Sequence, residues 1–123
     1  MQPEFNASSL LAAFDDDVDD VRHVVRLVCS SLPRYLADLR SSIQSGDRLR
    51  AAALAHTIRG TVGNVHADHL AALVRDVERA ARGRAPLTAE DVDQVDHASW
   101  RLIGALDGWV NGLARPPLAQ RRR

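Results

Sequence analysis

The sequence predicts an all-α fold, an up-and-down antiparallel four-helix bundle with a short extra N-terminal helix. Three observations carry that expectation. Apolar residues recur at intervals of three and four along most of the chain, the period of helices that bury one face. Gly, Pro, Asp and Thr interrupt the pattern where helix caps and short links would fall. No stretch sustains the alternation of a strand. At 123 residues the chain is one domain on length and can bury a useful core. Short links between long helices favour antiparallel neighbours.

The elements follow in order. Residues 1–7 read as a flexible lead. Residues 8–14 form a short helix that packs Leu10, Leu11 and Phe14 onto the bundle, whose span is 8–114. The acidic run Asp15–Asp20 starts the next helix, since Asp side chains cap free N–H groups and suit the positive end of the dipole. That helix covers about 17–31 on Val18, Val21, Val24, Val25, Val28 and Leu32. Pro33 ends the pattern and opens another helix at its first turn, with Leu36, Leu39 and Ile43, closed by Gly46. Asp47 caps the next helix, which runs to a turn at Asn64–Ala67. Asp68 starts a further one, with Leu70, Leu73, Val74, Val77 and Ala81 on a stripe that Gly83 closes. Thr88 and Asp91 read as an N-cap pair, with Leu87 and Val92 as a staple across it. The last helix covers about 89–113. Gly104, Gly108 and Gly112 repeat along it, either for close packing or as weak points. The tail 115–123, with two prolines and four arginines, reads as disordered.

Composition excludes several classes. Sixteen basic and sixteen acidic residues cancel, so nothing points to nucleic acid. One cysteine, Cys29, excludes an internal disulfide and a thiolate cluster, and a reducing cytoplasm fits. The N-terminus has no signal-peptide pattern, and no apolar run approaches a membrane span. The expected localisation is cytoplasmic.

The chemistry concentrates in AALAHTIRGTVGNVH, residues 52–66. On a helix, Ala51, Leu54, Ile58, Val62 and Val65 share the core side. His56 falls opposite. Its neighbours there are Ala52, Ala53, Arg59, Gly60 and Gly63, so a lone histidine projects from a nearly bare surface with one guanidinium a turn away. Glycine inside a helix costs about 0.5–1 kcal/mol relative to alanine. Two of them beside an exposed histidine indicate that something approaches it closely. A neutral imidazole is a nucleophile, and free histidine, with a pKa near 6.5, is mostly neutral at cytoplasmic pH. Arg59 disfavours the protonated ring and can pair with phosphoryl oxygens.

His56, Arg59, Gly60 and Gly63 resemble the phosphoacceptor motif of the histidine-containing phosphotransfer (HPt) domains, and the hydrophobic pattern of about residues 8–114 resembles theirs too. The resemblance implies a four-helix-bundle phosphocarrier rather than a turnover enzyme. It accepts a phosphoryl group on Nε2 of His56 from a receiver-domain aspartate or a kinase, and passes it to another receiver. It implies no cofactor on this chain and Mg²⁺ on the partner receiver. Expected partners are response-regulator receivers or a hybrid histidine kinase, with no nucleic acid and no membrane, and the chain itself is expected to be a monomer. Ala52, Ala53, Gly60 and Gly63 would form the docking surface. In the chemotaxis-kinase branch a glutamate twenty-two positions after the acceptor orients its ring, which places Glu78 in that role. The other reading of Glu78 is a solvated helix residue paired with Arg82 at i+4.

The chain departs from the family pattern at His66, where a small residue, often glycine, is usual. Two further readings follow. One is an HPt-like interaction module that docks a receiver or kinase without being phosphorylated. The other is a metal-binding bundle using His56, His66 and His69, although the spacing lacks a carboxylate or thiolate at a set distance. No metal site is expected. His23 and His97 read as surface residues, Trp100 and Trp109 as core or edge residues of the last helix, and Cys29 as a small buried one.

Overall fold

The computed structural model describes residues 3–83 and 85–113. The elements are α1 (Ala7–Ala13), α2 (Val18–Gln44), α3 (Arg48–Gly63), α4 (Asp68–Gly83) and α5 (Ala89–Gly112). The four long helices form an antiparallel ring in which each packs on its sequence neighbour and α5 closes onto α2. α1 lies against α2, and α3 and α4 are the most intimate pair. No strand occurs among the described residues. The expected tail at 115–123 lies outside them. In the segment expected as a flexible lead, Glu4, Phe5 and Asn6 are engaged. Glu4 pairs with Arg101, the Phe5 ring meets Trp109 edge-on at 5.1 Å, and Asn6 caps α1 while its N–H donates to the His66 carbonyl.

The expected break at Pro33 does not occur. α2 runs through it as one helix of 27 residues, about 40 Å long. An interior proline removes one backbone bond and costs about 3 kcal/mol. Val21, Val25, Val28, Leu32, Leu36 and Leu39 keep one phase across it, and all are buried. Each such burial stabilises by about 1.5–3 kcal/mol, so two of the six offset the proline.

Caps set the turns. Asp17 accepts from the N–H groups of Asp19 and Asp20, Asp47 from that of Arg50, and Thr88 and Asp91 form a reciprocal capping box. Gly46 has φ +75°, with its N–H on the Ile43 carbonyl and that of Asp47 on the Ser42 carbonyl, the bonding of a Schellman turn. His66 repeats the device after α3. Its φ is +57°, its N–H donates to the Gly63 carbonyl, and the Ala67 N–H donates to that of Val62. The position asks for a left-handed residue, which explains the small residue usual there. Histidine bears the strain, and the Asn6 N–H on its carbonyl ties the turn to the N-terminal segment.

One side chain that the periodicity does not reveal locks α3 to α4. Arg48 donates through Nη2 to the carbonyls of Ala80 and Ala85, at 2.5 and 2.6 Å, and through Nε to that of Ala81 at 3.3 Å. The last carbonyls of a helix have no partner within it, and a cation there also complements the dipole. The first turn of α3 is thereby fixed to the last turn of α4.

A methyl group at Gly104 would meet no atom within 4 Å, so this glycine serves no close helix contact. Gly104→Ala is expected to stabilise the protein by up to about 1 kcal/mol. Gly46→Ala, at positive φ, should destabilise it by about 1–2 kcal/mol. Urea unfolding of both variants against wild type checks the opposite signs.

Candidate functional site

α3 buries Ala51, Ala52, Ala55, Ile58 and Val62, and Val65 follows them into the core. Its outer face carries Leu49, Ala53, His56, Gly60 and Gly63, spaced four, three, four and three residues apart and all exposed. Ala52 is a correction to the expected docking surface. It is 2% exposed and belongs to the core, because the stripe facing the rest of the bundle is wider than Leu54 and Ile58 define. Leu49, which the reading of the motif passes over, is 83% exposed, two turns before His56 on the same stripe. Of the two expectations for Trp100, core or edge, its 52% exposure fits the edge. Cys29 is half-buried, and burial, reinforced by the charge of Asp107, raises its thiol pKa.

Glycine adds no bulk to the outer face of α3. A Cβ at Gly60 or Gly63 would meet nothing within 4 Å, so no packing inside the chain requires them. The same holds for Gly104 and Gly108 on α5. What distinguishes Gly60 and Gly63 is their place one and two turns beyond His56 on its own stripe.

The His56 side chain is 62% exposed, whereas that of Glu78 is 9% exposed. Nδ1 of His56 lies 3.3 Å from Oε2 of Glu78 and 3.1 Å from Nη2 of Arg59. Nε2 has no hydrogen-bond partner among the described residues. Arg82, one turn after Glu78 on α4, donates to Oε2 through Nε at 3.1 Å and Nη2 at 3.0 Å. Arg59 brings Nη1 to 3.5 Å from Oε1, which is buried and makes no hydrogen bond. Both readings of Glu78 hold in part: it pairs with Arg82, and it also touches the ring, from a buried position rather than a solvated one. The signal was present in the sequence, since Leu70, Val74, Val77, Glu78 and Ala81 form the buried stripe of α4.

Burial alone would push the Glu78 carboxyl up. The hydrogen bonds from Arg82 and the charges of Arg59, His56 and Arg82 outweigh it, and leave the group below its ordinary 4.5.

His66 and His69 stand at the turn before α4 and in its first turn, past the end of α3, which itself runs about 10 Å beyond His56. Among the described residues, no three His, Cys, Asp or Glu side chains converge as a metal ion would need.

These features define a family. The model of the Hpt domain matches residues 23–111, most of the chain. The chain belongs to the Hpt domain family. No curated protein sequence matches it. Among solved structures, the Hpt domain is similar to the crystal structure of histidine-containing phosphotransfer protein B (HptB) from Pseudomonas aeruginosa PAO1. The match has a TM-score of 0.80 and 19% identity, and covers 93% of this chain and 100% of that one. At that identity the likeness speaks to the fold. Hpt domains are phosphocarriers in histidine phosphorelays and work with receiver domains or kinases, and this bundle shares that role at the level of its family.

The Glu78 network has a pH signature. A carboxyl held below its unfolded value contributes stability above about pH 4.5, and that contribution is lost as pH falls through the folded value. Glu78→Gln should cost about 1–3 kcal/mol at pH 7, the scale of hydrogen bonds to a charged group. The gap should narrow below pH 4.5, and urea unfolding of both proteins across pH 3 to 7 measures it.

Proposed function

We propose that this Hpt domain carries a phosphoryl group on Nε2 of His56, taking it from the aspartyl phosphate of a receiver domain, or from a kinase, and passing it to another receiver. The observation that carries the reading is the division of the ring. Nδ1 faces a buried carboxylate and Nε2 faces outward over a helix surface without bulk.

The chemistry follows from that division. With Nδ1–H donating to Glu78, the Nε2 lone pair attacks phosphorus. The N–P bond forms as the O–P bond of the aspartyl phosphate breaks, and its electron pair stays on the aspartate carboxylate. The ring becomes cationic while keeping its Nδ1 proton, and Glu78 faces that charge. Arg59 pairs with the phosphoryl oxygens, for which guanidinium is a good partner. In this reading Mg²⁺ belongs to the receiver, the domain needs no cofactor, and it acts as a monomeric cytoplasmic carrier rather than a turnover enzyme. Among the described residues, no helix is long and apolar enough to cross a membrane.

The receiver approaches along Ala53, Gly60 and Gly63, and Leu49 offers an apolar anchor at the end of that stripe. His66 does not argue for a docking module that has lost transfer. It lies in the turn beyond α3, and its departure from the small residue concerns the backbone angle.

Incubation with a phosphorylated receiver from the same organism tests the reading. His56→Gln should abolish acceptance while changing stability by less than about 0.5 kcal/mol, since the site is exposed. Full acceptance by that variant would refute the assignment. Gly63→Leu should slow transfer without unfolding the bundle. Leu49→Ser should raise the receiver concentration needed for half-maximal rate about tenfold, as for loss of a modest interface anchor. Unchanged kinetics in both variants would remove this face from docking.

A further inference from the structure

We propose that Arg59 acts as a tautomer lock on His56, holding the free protein with the proton on Nε2 and releasing it only when an incoming phosphoryl group draws the guanidinium away. The inference deepens the proposed function, since its consequence for transfer rests on His56 being the acceptor.

Two groups of opposite character compete for one nitrogen. Nη2 of Arg59 is 3.1 Å from Nδ1, and Oε2 of Glu78 is 3.3 Å from the same atom. Guanidinium only donates and carboxylate only accepts. Nδ1 therefore bonds Arg59 when it carries a lone pair and Glu78 when it carries hydrogen, never both. In the neutral ring the other nitrogen takes the complementary state. Bonding to Arg59 places the hydrogen on Nε2 and removes its lone pair. Bonding to Glu78 leaves Nε2 bare and nucleophilic. The two contacts thus specify opposite reactivities.

The surroundings favour the locked form in the free protein. The Arg59 contact is the shorter. Oε2 is already engaged by Nε and Nη2 of Arg82, so Glu78 does not depend on His56 for its partners. Arg59 also faces Oε1 through Nη1 at 3.5 Å, which stations its guanidinium across the Glu78–His56 gap. Arg82 and Glu78 hold the station, and the ring adopts the tautomer that suits Arg59.

Docking changes the competition. A phosphoryl group carries full negative charge and binds guanidinium more strongly than a neutral imidazole nitrogen does. As Arg59 turns to it, Nδ1 loses its donor and Glu78 becomes its remaining partner. The proton on Nε2 leaves to water and one from water arrives at Nδ1, so the ring stays neutral overall and its lone pair faces phosphorus. The same residue that stabilises the transferred group therefore also arms the nucleophile. Between encounters Nε2 stays capped against other electrophiles.

The test uses the free, ¹⁵N-labelled full chain at pH 8, where free imidazole is neutral. Long-range ¹H–¹⁵N spectra distinguish bare from protonated ring nitrogens, which resonate far apart. Wild type should show His56 mainly with hydrogen on Nε2, and Arg59→Ala should shift the ratio several-fold toward Nδ1–H. The neutral acylating reagent diethylpyrocarbonate should then modify His56 faster in Arg59→Ala than in wild type, because that reagent gains nothing from a guanidinium. A wild-type ring already carrying its hydrogen on Nδ1, or a ratio unchanged in Arg59→Ala, would overturn the lock. No receiver is present, so these results stand apart from whether His56 accepts phosphate.

Discussion

The constraint on which the site depends is the burial of one carboxylate. Glu78 sits on the inward stripe of α4, where an isolated charge is costly, and it remains ionised because cations converge on it. Arg82 comes from its own helix and Arg59 from α3, and the His56 ring, also on α3, rests against the same carboxylate. The geometry is possible only if α3 and α4 lie close and in register. The buried alanines at 51, 52 and 55 keep the inner face of α3 small, and Arg48 fixes the start of α3 to the end of α4. The orientation of an exposed histidine is thus set by contacts that begin two turns away.

That arrangement divides the labour between the chain and its partner. The bundle supplies a fixed ring, a guanidinium and a face without bulk. The phosphorylated aspartate and its metal come with the receiver in the proposed reaction. Gly60 weakens the interior of α3 without serving its packing, and Gly63, at the helix end, likewise faces open space. A surface optimised for isolated stability would not carry them beside His56.

Much of this was legible in the sequence. Apolar stripes located the long helices, and the acidic run Asp15–Asp20, Asp47, Thr88 and Gly46 marked their ends, because caps act locally. The placement of His56, Arg59, Gly60 and Gly63 on an outer face followed from helical phase. What was not legible depended on tertiary context. Pro33 reads as a boundary until the burial on both sides of it is weighed. Ala52 lies at the edge of the core stripe, where phase alone does not decide which way a small residue faces. Glu78 shares the phase of Val74 and Val77, but its charge argues for solvent until its partners on another helix are known. The demand at position 66 is a backbone angle, which no side-chain pattern encodes.

In the proposed reaction this network makes His56 the phosphoacceptor. Tandem mass spectrometry of the wild-type chain after exposure to a phosphorylated receiver, under conditions that preserve phosphohistidine, locates the group directly. Phosphate on His56 alone is the expected result of the proposed reaction. Phosphate on His66 or His69, or none on any histidine while the receiver stays bound, would contradict it.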